Sequence, residues 1–174
     1  KDAADGATAR PAMAVLGAGS WGTTLAVHLA RTGQQTSLWG RDAAQMAEFA
    51  AARCNTRYLS MAPFPDGLTI ESNLPRAVAG ADDLLVAVPS HGFRELLLQV
   101  APLLRAGMRV AWATKGFELE SGKLPHEVAR EVLGPGVPTA VLSGPTFARE
   151  VGLGLPTAMT VAASTANVFV NASG

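Results

Sequence analysis

The chain has 174 residues, 48% of them hydrophobic, and its fourteen basic and fourteen acidic side chains cancel to a net charge of zero. That length suits one ordinary domain with a real apolar core, and the balanced charge provides no global field to recruit nucleic acid or an anionic membrane surface. Apolar runs such as Leu84–Val88 are far too short to span a bilayer, and Cys54, the only cysteine, excludes an intrachain disulfide, so a reducing compartment and by default the cytosol are expected.

Lys1–Arg10 is rich in Ala, Asp and Gly without any period, and residues 1–12 read as a disordered lead-in. No charged-then-apolar leader opens the chain. Met13–Leu16 is a short apolar segment that predicts a buried strand. It runs into Gly17-Ala18-Gly19-Ser20-Trp21-Gly22 and then Thr23–Arg31, an apolar-rich helix stopped by Gly33. Strand, glycine turn and helix in succession are the context that gives G-x-G-x-x-G its meaning. Gly17 allows the tight turn, Gly19 leaves the backbone open to a pyrophosphate, and Gly22 lets helix and strand pack closely. The helix N-terminus then offers unpaired N–H groups and partial positive charge to phosphates.

Thr36–Gly40 predicts a second strand and Ala43–Ala52 a helix, with Asp42 as N-cap and Met46, Phe49 and Ala50 on one side. Cys54–Gly67, marked by Pro63, Pro65 and Asp66-Gly67, reads as a loop. Leu68–Glu71 is a short strand, Leu74–Ala79 a helix ending at Gly80, and Asp83–Val88 a strand whose continuous apolar run fits a central parallel position. A helix follows over His91–Val100, ending before Pro102. Then come a strand at Met108–Ala113, a helix at Leu124–Leu133, a strand at Thr139–Leu142 and an outer strand within Thr157–Ala162. This alternation predicts an α/β domain with a doubly wound, mainly parallel sheet over residues 13–164, leaving 165–174 as an unassigned tail.

Ligands of such sheets sit outside the carboxyl ends of the strands. Three later segments fall there: Pro89-Ser90-His91, Thr114-Lys115-Gly116 and Ser143-Gly144-Pro145-Thr146. Each alone reads equally well as an ordinary turn; three on one rim favour a site. Lys115 is one of only three lysines, beside Lys1 and Lys123, and its ammonium at a strand end can meet a phosphate or polarise a carbonyl oxygen. Arg41 closes the second strand about twenty residues past the glycine turn, where an acidic residue selects NAD and an arginine accommodates the 2′-phosphate of NADP. Asp42 comes one position later, so NADP, or tolerance of both cofactors, is expected. His28, His91 and His126 are scattered and, with one cysteine, offer no metal-ligand spacing.

Taken together, the glycine turn through Ala26, Val88-Pro-Ser90, Thr114-Lys-Gly-Phe-Glu118 and Ser143-Gly-Pro-Thr-Phe-Ala-Arg-Glu-Val151 closely resemble the bacterial-type NAD(P)-dependent sn-glycerol-3-phosphate dehydrogenases over about residues 13–164. The resemblance implies an N-terminal Rossmann-type domain followed by an all-helical domain, and reduction of dihydroxyacetone phosphate to sn-glycerol 3-phosphate for glycerophospholipids in the cytosol. It implies Ser20, Trp21, Arg41, Lys115 and Ala148 as cofactor contacts beside Gly17, Gly19 and Gly22. Lys115, Gly144 and Thr146 become substrate contacts, with Lys115 reaching both ligands. The small phosphorylated triose is then the partner, with no nucleic acid, no membrane insertion, and room for a homodimer of the full-length protein. The family's proton-transferring lysine lies in a Lys-Asn motif of the helical domain, and no lysine follows Lys123 here. These 174 residues alone are therefore expected to bind dinucleotide without turnover. The alternatives are a related hydroxyacid or ketopantoate-type reductase, against which the last two motifs argue, and a non-catalytic nucleotide-binding module.

Overall fold

The computed structural model describes residues 11–144, 148–154 and 158–164. Among the described residues, strands β1 (Met13–Leu16), β2 (Thr36–Trp39), β3 (Cys54–Asn55), β4 (Leu59–Pro63), β5 (Leu68–Glu71), β6 (Asp83–Val86), β7 (Arg109–Trp112), β8 (Thr139–Ser143) and β9 (Thr160–Ala163) are interspersed with six α-helices and one 3₁₀ turn at Ala101–Leu103. The α-helices are α1 (Ser20–Arg31), α2 (Ala43–Ala52), α3 (Leu74–Ala79), α4 (Ser90–Val100), α5 (Pro125–Leu133) and α6 (Ala148–Gly152). Seven strands make one sheet in the order β5-β2-β1-β6-β7-β8-β9, parallel except for β9, which runs antiparallel to β8. β3 and β4 pair separately as a small antiparallel ribbon.

The sheet separates two apolar layers by the alternation of each strand. Ala14 and Leu16 of β1, Leu84 and Val86 of β6, and Val110 and Trp112 of β7 face α3, α4 and α5 through Val78, Phe93, Leu97 and Val128. Val15, Leu85 and Ala111 turn the other way, onto Leu25, Ala26 and Val27 of α1 and Met46 and Phe49 of α2. Phe93 meets Trp112 edge to face, ring centroids 5.8 Å apart. Helices on both faces are what a sheet buried on both sides requires. Chain order reverses at β1, which lies between β2 and β6, and in sheets of this kind ligands bind beyond the strand ends at that reversal.

Most element positions agree with the sequence reading, and Asp42 caps α2 as expected, its Oδ1 accepting from the Gln45 N–H at 3.0 Å. The corrections have identifiable causes. The stretch read as a loop over 54–67 contains the β3–β4 ribbon: its proline and Asp-Gly signals mark turns, while burial of Asn55, Leu59, Ala62 and Phe64 decides that the segment pairs. Helix α1 starts at Ser20, not Thr23, because Gly22 packs inside its first turn. Ala50 is exposed; only Met46 and Phe49 of α2 are buried. β6 stops at Val86, and the outer strand begins at Thr160. Ala12, assigned to the lead-in, is tied down: its N–H donates to Asp82 Oδ2 at 2.9 Å and its carbonyl accepts from Asp82 and Asp83. Residues 1–10 and 165–174 lie outside the described residues.

Candidate functional site

The glycine turn is formed by backbone pressed against backbone. Gly17 has φ +128°, and a Cβ there would lie 2.6 Å from the carbonyl oxygen of Ala87, just past β6. A Cβ on Gly22 would stand 1.8 Å from the Gly17 oxygen and 3.2 Å from the Ala87 side chain. Gly19 is the opposite case: it is exposed, and a Cβ there would meet nothing within 4 Å. It is the N-cap of α1, which has no side-chain cap and no acidic residue in its first turn. Thr23 N–H closes onto the Gly19 carbonyl at 3.0 Å, leaving the earlier N–H groups of the helix for an external acceptor. An uncapped helix end facing open space, behind two glycines that cannot carry side chains, fits the pyrophosphate of a dinucleotide.

Asn55, which the sequence reading passed over, is fully buried beneath this turn. Its Nδ2 donates to the Ala18 carbonyl at 3.2 Å and to Thr23 Oγ1 at 2.7 Å. Its Oδ1 accepts from the N–H groups of Arg57 and Tyr58. The ribbon is thereby fastened to both sides of the glycine turn. Ser20, half-buried at the head of α1, shares a cavity of about 240 Å³ with residues 58–62 of the ribbon and Leu153.

The structure brings three separate motifs to one place. Lys115, exposed just past β7, holds its Nζ 5.7 Å from the centroid of the Trp21 ring and 3.5 Å from the carbonyl oxygen of Gly144, past β8. Trp21 is half-buried, and its Nε1 is buried without a hydrogen-bond partner among the described residues. A Cβ on Gly144 would lie 2.8 Å from the Ala158 carbonyl, so this position holds a close backbone approach. Ala148 opens α6, and its carbonyl lies 3.0 Å from Thr24 Oγ1 of α1. Arg41 follows β2, is exposed, and stands at the same edge of the sheet because Leu16 of β1 pairs with Trp39 of β2. Thr146 lies outside the described residues. His91 and His126 are exposed and His28 is half-buried. Among the described residues no group of three His, Cys, Asp or Glu side chains could hold a metal ion, and no helix is long and apolar enough to cross a membrane.

The loop that carries Lys115 is anchored on both sides. Thr114 Oγ1 donates to the Val88 carbonyl at 2.8 Å. Beyond Lys115, Glu118 accepts two hydrogen bonds from Arg94 of α4, from Nε at 2.7 Å and Nη2 at 2.9 Å. Ser121 also donates to Glu118, and these bonds, Arg94 first, hold its carboxyl at about 2, well below the usual carboxylate range. The Arg94 guanidinium is correspondingly raised.

Strand order, reversal point and glycine turn together define a Rossmann-type doubly wound domain with its ligand crevice at the carboxyl ends of the strands. Residues 12–169 match the family of the NAD-dependent glycerol-3-phosphate dehydrogenase N-terminus, and the chain belongs to that family. It is 52% identical over 157 residues to the glycerol-3-phosphate dehydrogenase [NAD(P)+] of Cronobacter sakazakii, covering 90% of this chain and 46% of the relative. The protein of the same name from Pseudoalteromonas translucida is 54% identical, with 90% and 47% covered. The crystal structure of glycerol-3-phosphate dehydrogenase from Coxiella burnetii superposes with a TM-score of 0.85 at 44% identity, over 90% of this chain and 47% of that one. The chain thus spans about half the length of the relatives it matches.

Proposed function

We propose that this chain is the dinucleotide-binding part of a glycerol-3-phosphate dehydrogenase that interconverts dihydroxyacetone phosphate and sn-glycerol 3-phosphate with NADPH or NADH. The nicotinamide, when bound, supplies or accepts the hydride. Gly17, Gly19 and Gly22 shape the surface that receives the pyrophosphate, and the head of α1 at Ser20 and Trp21 supplies N–H groups and positive potential to it. Arg41 meets the 2′-phosphate of NADP, while Asp42 caps α2 by accepting the Gln45 N–H through one of its two carboxylate oxygens. Ala148 closes the cofactor side through α6. Gly144, Thr146 and Lys115 receive the triose phosphate, the Lys115 ammonium neutralising phosphate charge and stabilising the negative charge that grows on the carbonyl oxygen. The product is the glycerophosphate backbone of phospholipids, and the enzyme works in the cytoplasm.

The observation that carries this reading is the convergence of Trp21, Lys115 and Gly144, from three distant motifs, on one rim. The test is Lys115→Met in the full-length protein, which keeps much of the stem and removes the charge. kcat/KM for dihydroxyacetone phosphate should fall about 10²-fold, the scale of a lost electrostatic stabiliser, while stability changes by under about 0.5 kcal/mol, as at other exposed positions. Nearly normal kcat/KM would make Lys115 a solvated strand-end lysine.

A further inference from the structure

The geometry points to Arg94 and Glu118 as positioning residues that aim the Lys115 ammonium at the rim. Lys115 has little of its own to fix it. It is exposed, its polar contact among the described residues is the 3.5 Å approach to the Gly144 carbonyl, and the Trp21 ring offers a face and no directional bond. Its direction is set by where its backbone is held. Thr114 is pinned to Val88 on one side. On the other side, after only Gly116 at φ +88° and Phe117, Glu118 is gripped by both nitrogens of the Arg94 fork. Glu118 also closes the rest of the loop on itself, since its N–H donates to the Lys123 carbonyl and its own carbonyl accepts from Gly122, both at 2.8 Å.

An isolated surface ion pair would carry little of this burden. This one is bidentate, which fixes direction as well as distance, and it is built into a network. Arg94 Nη2 also donates to Glu131 of α5 at 3.0 Å, and Lys123 bonds the same carboxylate. The side chains of Arg94 and Glu118 are 32% and 15% exposed. Three elements, α4, α5 and the 114–124 loop, are thus registered against each other three residues from Lys115. Phe117, more than half exposed, contributes no competing apolar anchor.

The inference rests on the reading of Lys115 as the substrate-facing cation only for its kinetic consequence, so the experiment has two arms. The chain holds three lysines, which makes reductive methylation with a ¹³C label a spectrum of few resonances. The Lys115 methyls, assigned by their loss in Lys115→Met, should be displaced upfield by the Trp21 ring current. In Arg94→Met and in Glu118→Gln, each checked for intact folding by circular dichroism, the displacement should collapse towards the position of a free lysine. Arg94→Lys, which retains the charge without the fork, should restore less than half of it. In the full-length enzyme the same variants should lower kcat for dihydroxyacetone phosphate about tenfold, while dinucleotide Kd changes by no more than it does in Lys115→Met. A Lys115 resonance unmoved in folded Arg94→Met and Glu118→Gln overturns the proposal. A moved resonance with undiminished turnover upholds the positioning and counts instead against the catalytic reading of Lys115.

Discussion

Gly19 and Gly22 belong to one motif but should fail in different ways when each is changed to alanine. A methyl on Gly22 would have to stand 1.8 Å from the Gly17 oxygen, where ordinary contact begins well above 3 Å, so more than an ångström of movement is forced between the turn and the first turn of α1. The Ala87 side chain at 3.2 Å closes the other side. Overpacking of this kind costs about 1–3 kcal/mol when neighbours can give; here the neighbour is backbone, so about 3 kcal/mol or more is expected. For a domain of this size that is a fall in Tm of roughly 6–12 °C. Gly19→Ala meets no atom of the protein within 4 Å and sits at φ −76°, which alanine adopts freely. Alanine is a poorer N-cap than glycine, by about 0.5–1 kcal/mol, and the stiffer unfolded chain offsets about as much. Its Tm should therefore move by no more than about 2 °C. Its methyl does enter the space a pyrophosphate needs, so dinucleotide Kd should rise more than tenfold, a loss of about 1.4 kcal/mol or more. Differential scanning calorimetry and titration of tryptophan fluorescence separate the two effects. If Gly19→Ala lost as much stability as Gly22→Ala and bound dinucleotide normally, the turn would be structural and the phosphate reading would fail.

Arg41→Ala should weaken NADPH by about 10–100-fold, the span of one lost charged hydrogen bond at about 1.5–3 kcal/mol, and weaken NADH far less; isothermal titration with both cofactors decides, and equal losses would mean that Arg41 stacks on adenine. The Glu118 carboxyl, held at about 2 against an ordinary 4.5, contributes stability that is present above the ordinary value and is lost as pH falls through the lower one. The Tm gap between the parent protein and Glu118→Gln should accordingly be widest near neutrality and shrink between about pH 5 and pH 2. A gap constant over that interval would show that Arg94, Ser121 and Lys123 do not favour the ionised carboxylate.

The sequence was legible wherever it repeats or punctuates. β1, α2, β5 and α3 follow from apolar period, capping and glycine stops, and the bounds of all four agree with the structure. The rim was legible because strand ends in this fold have one address. Legibility ended where contacts join distant positions. Asn55 is 37 residues from Ala18 and 32 from Thr23, and nothing local in Cys54-Asn55-Thr56 announces that its amide will be buried under the glycine turn. Arg94 and Glu118 are 24 residues apart on a helix and a loop, each indistinguishable in sequence from a solvated charge. The ribbon was hidden because two of its signals, Pro63 and Pro65, are residues that commonly end strands.

The wedging of the glycine turn against Ala87 also bears on how fast a ligand arrives. Because Gly17 and Gly22 touch each other and the residue just past β6, the turn has no hinge of its own and cannot open without disturbing the centre of the sheet. The chain entropy of ordering this surface is settled during folding, not at the encounter with a ligand. Capture of the dinucleotide phosphates should then be a single, concentration-proportional step, and relatives with different affinities should differ chiefly in how long the cofactor stays.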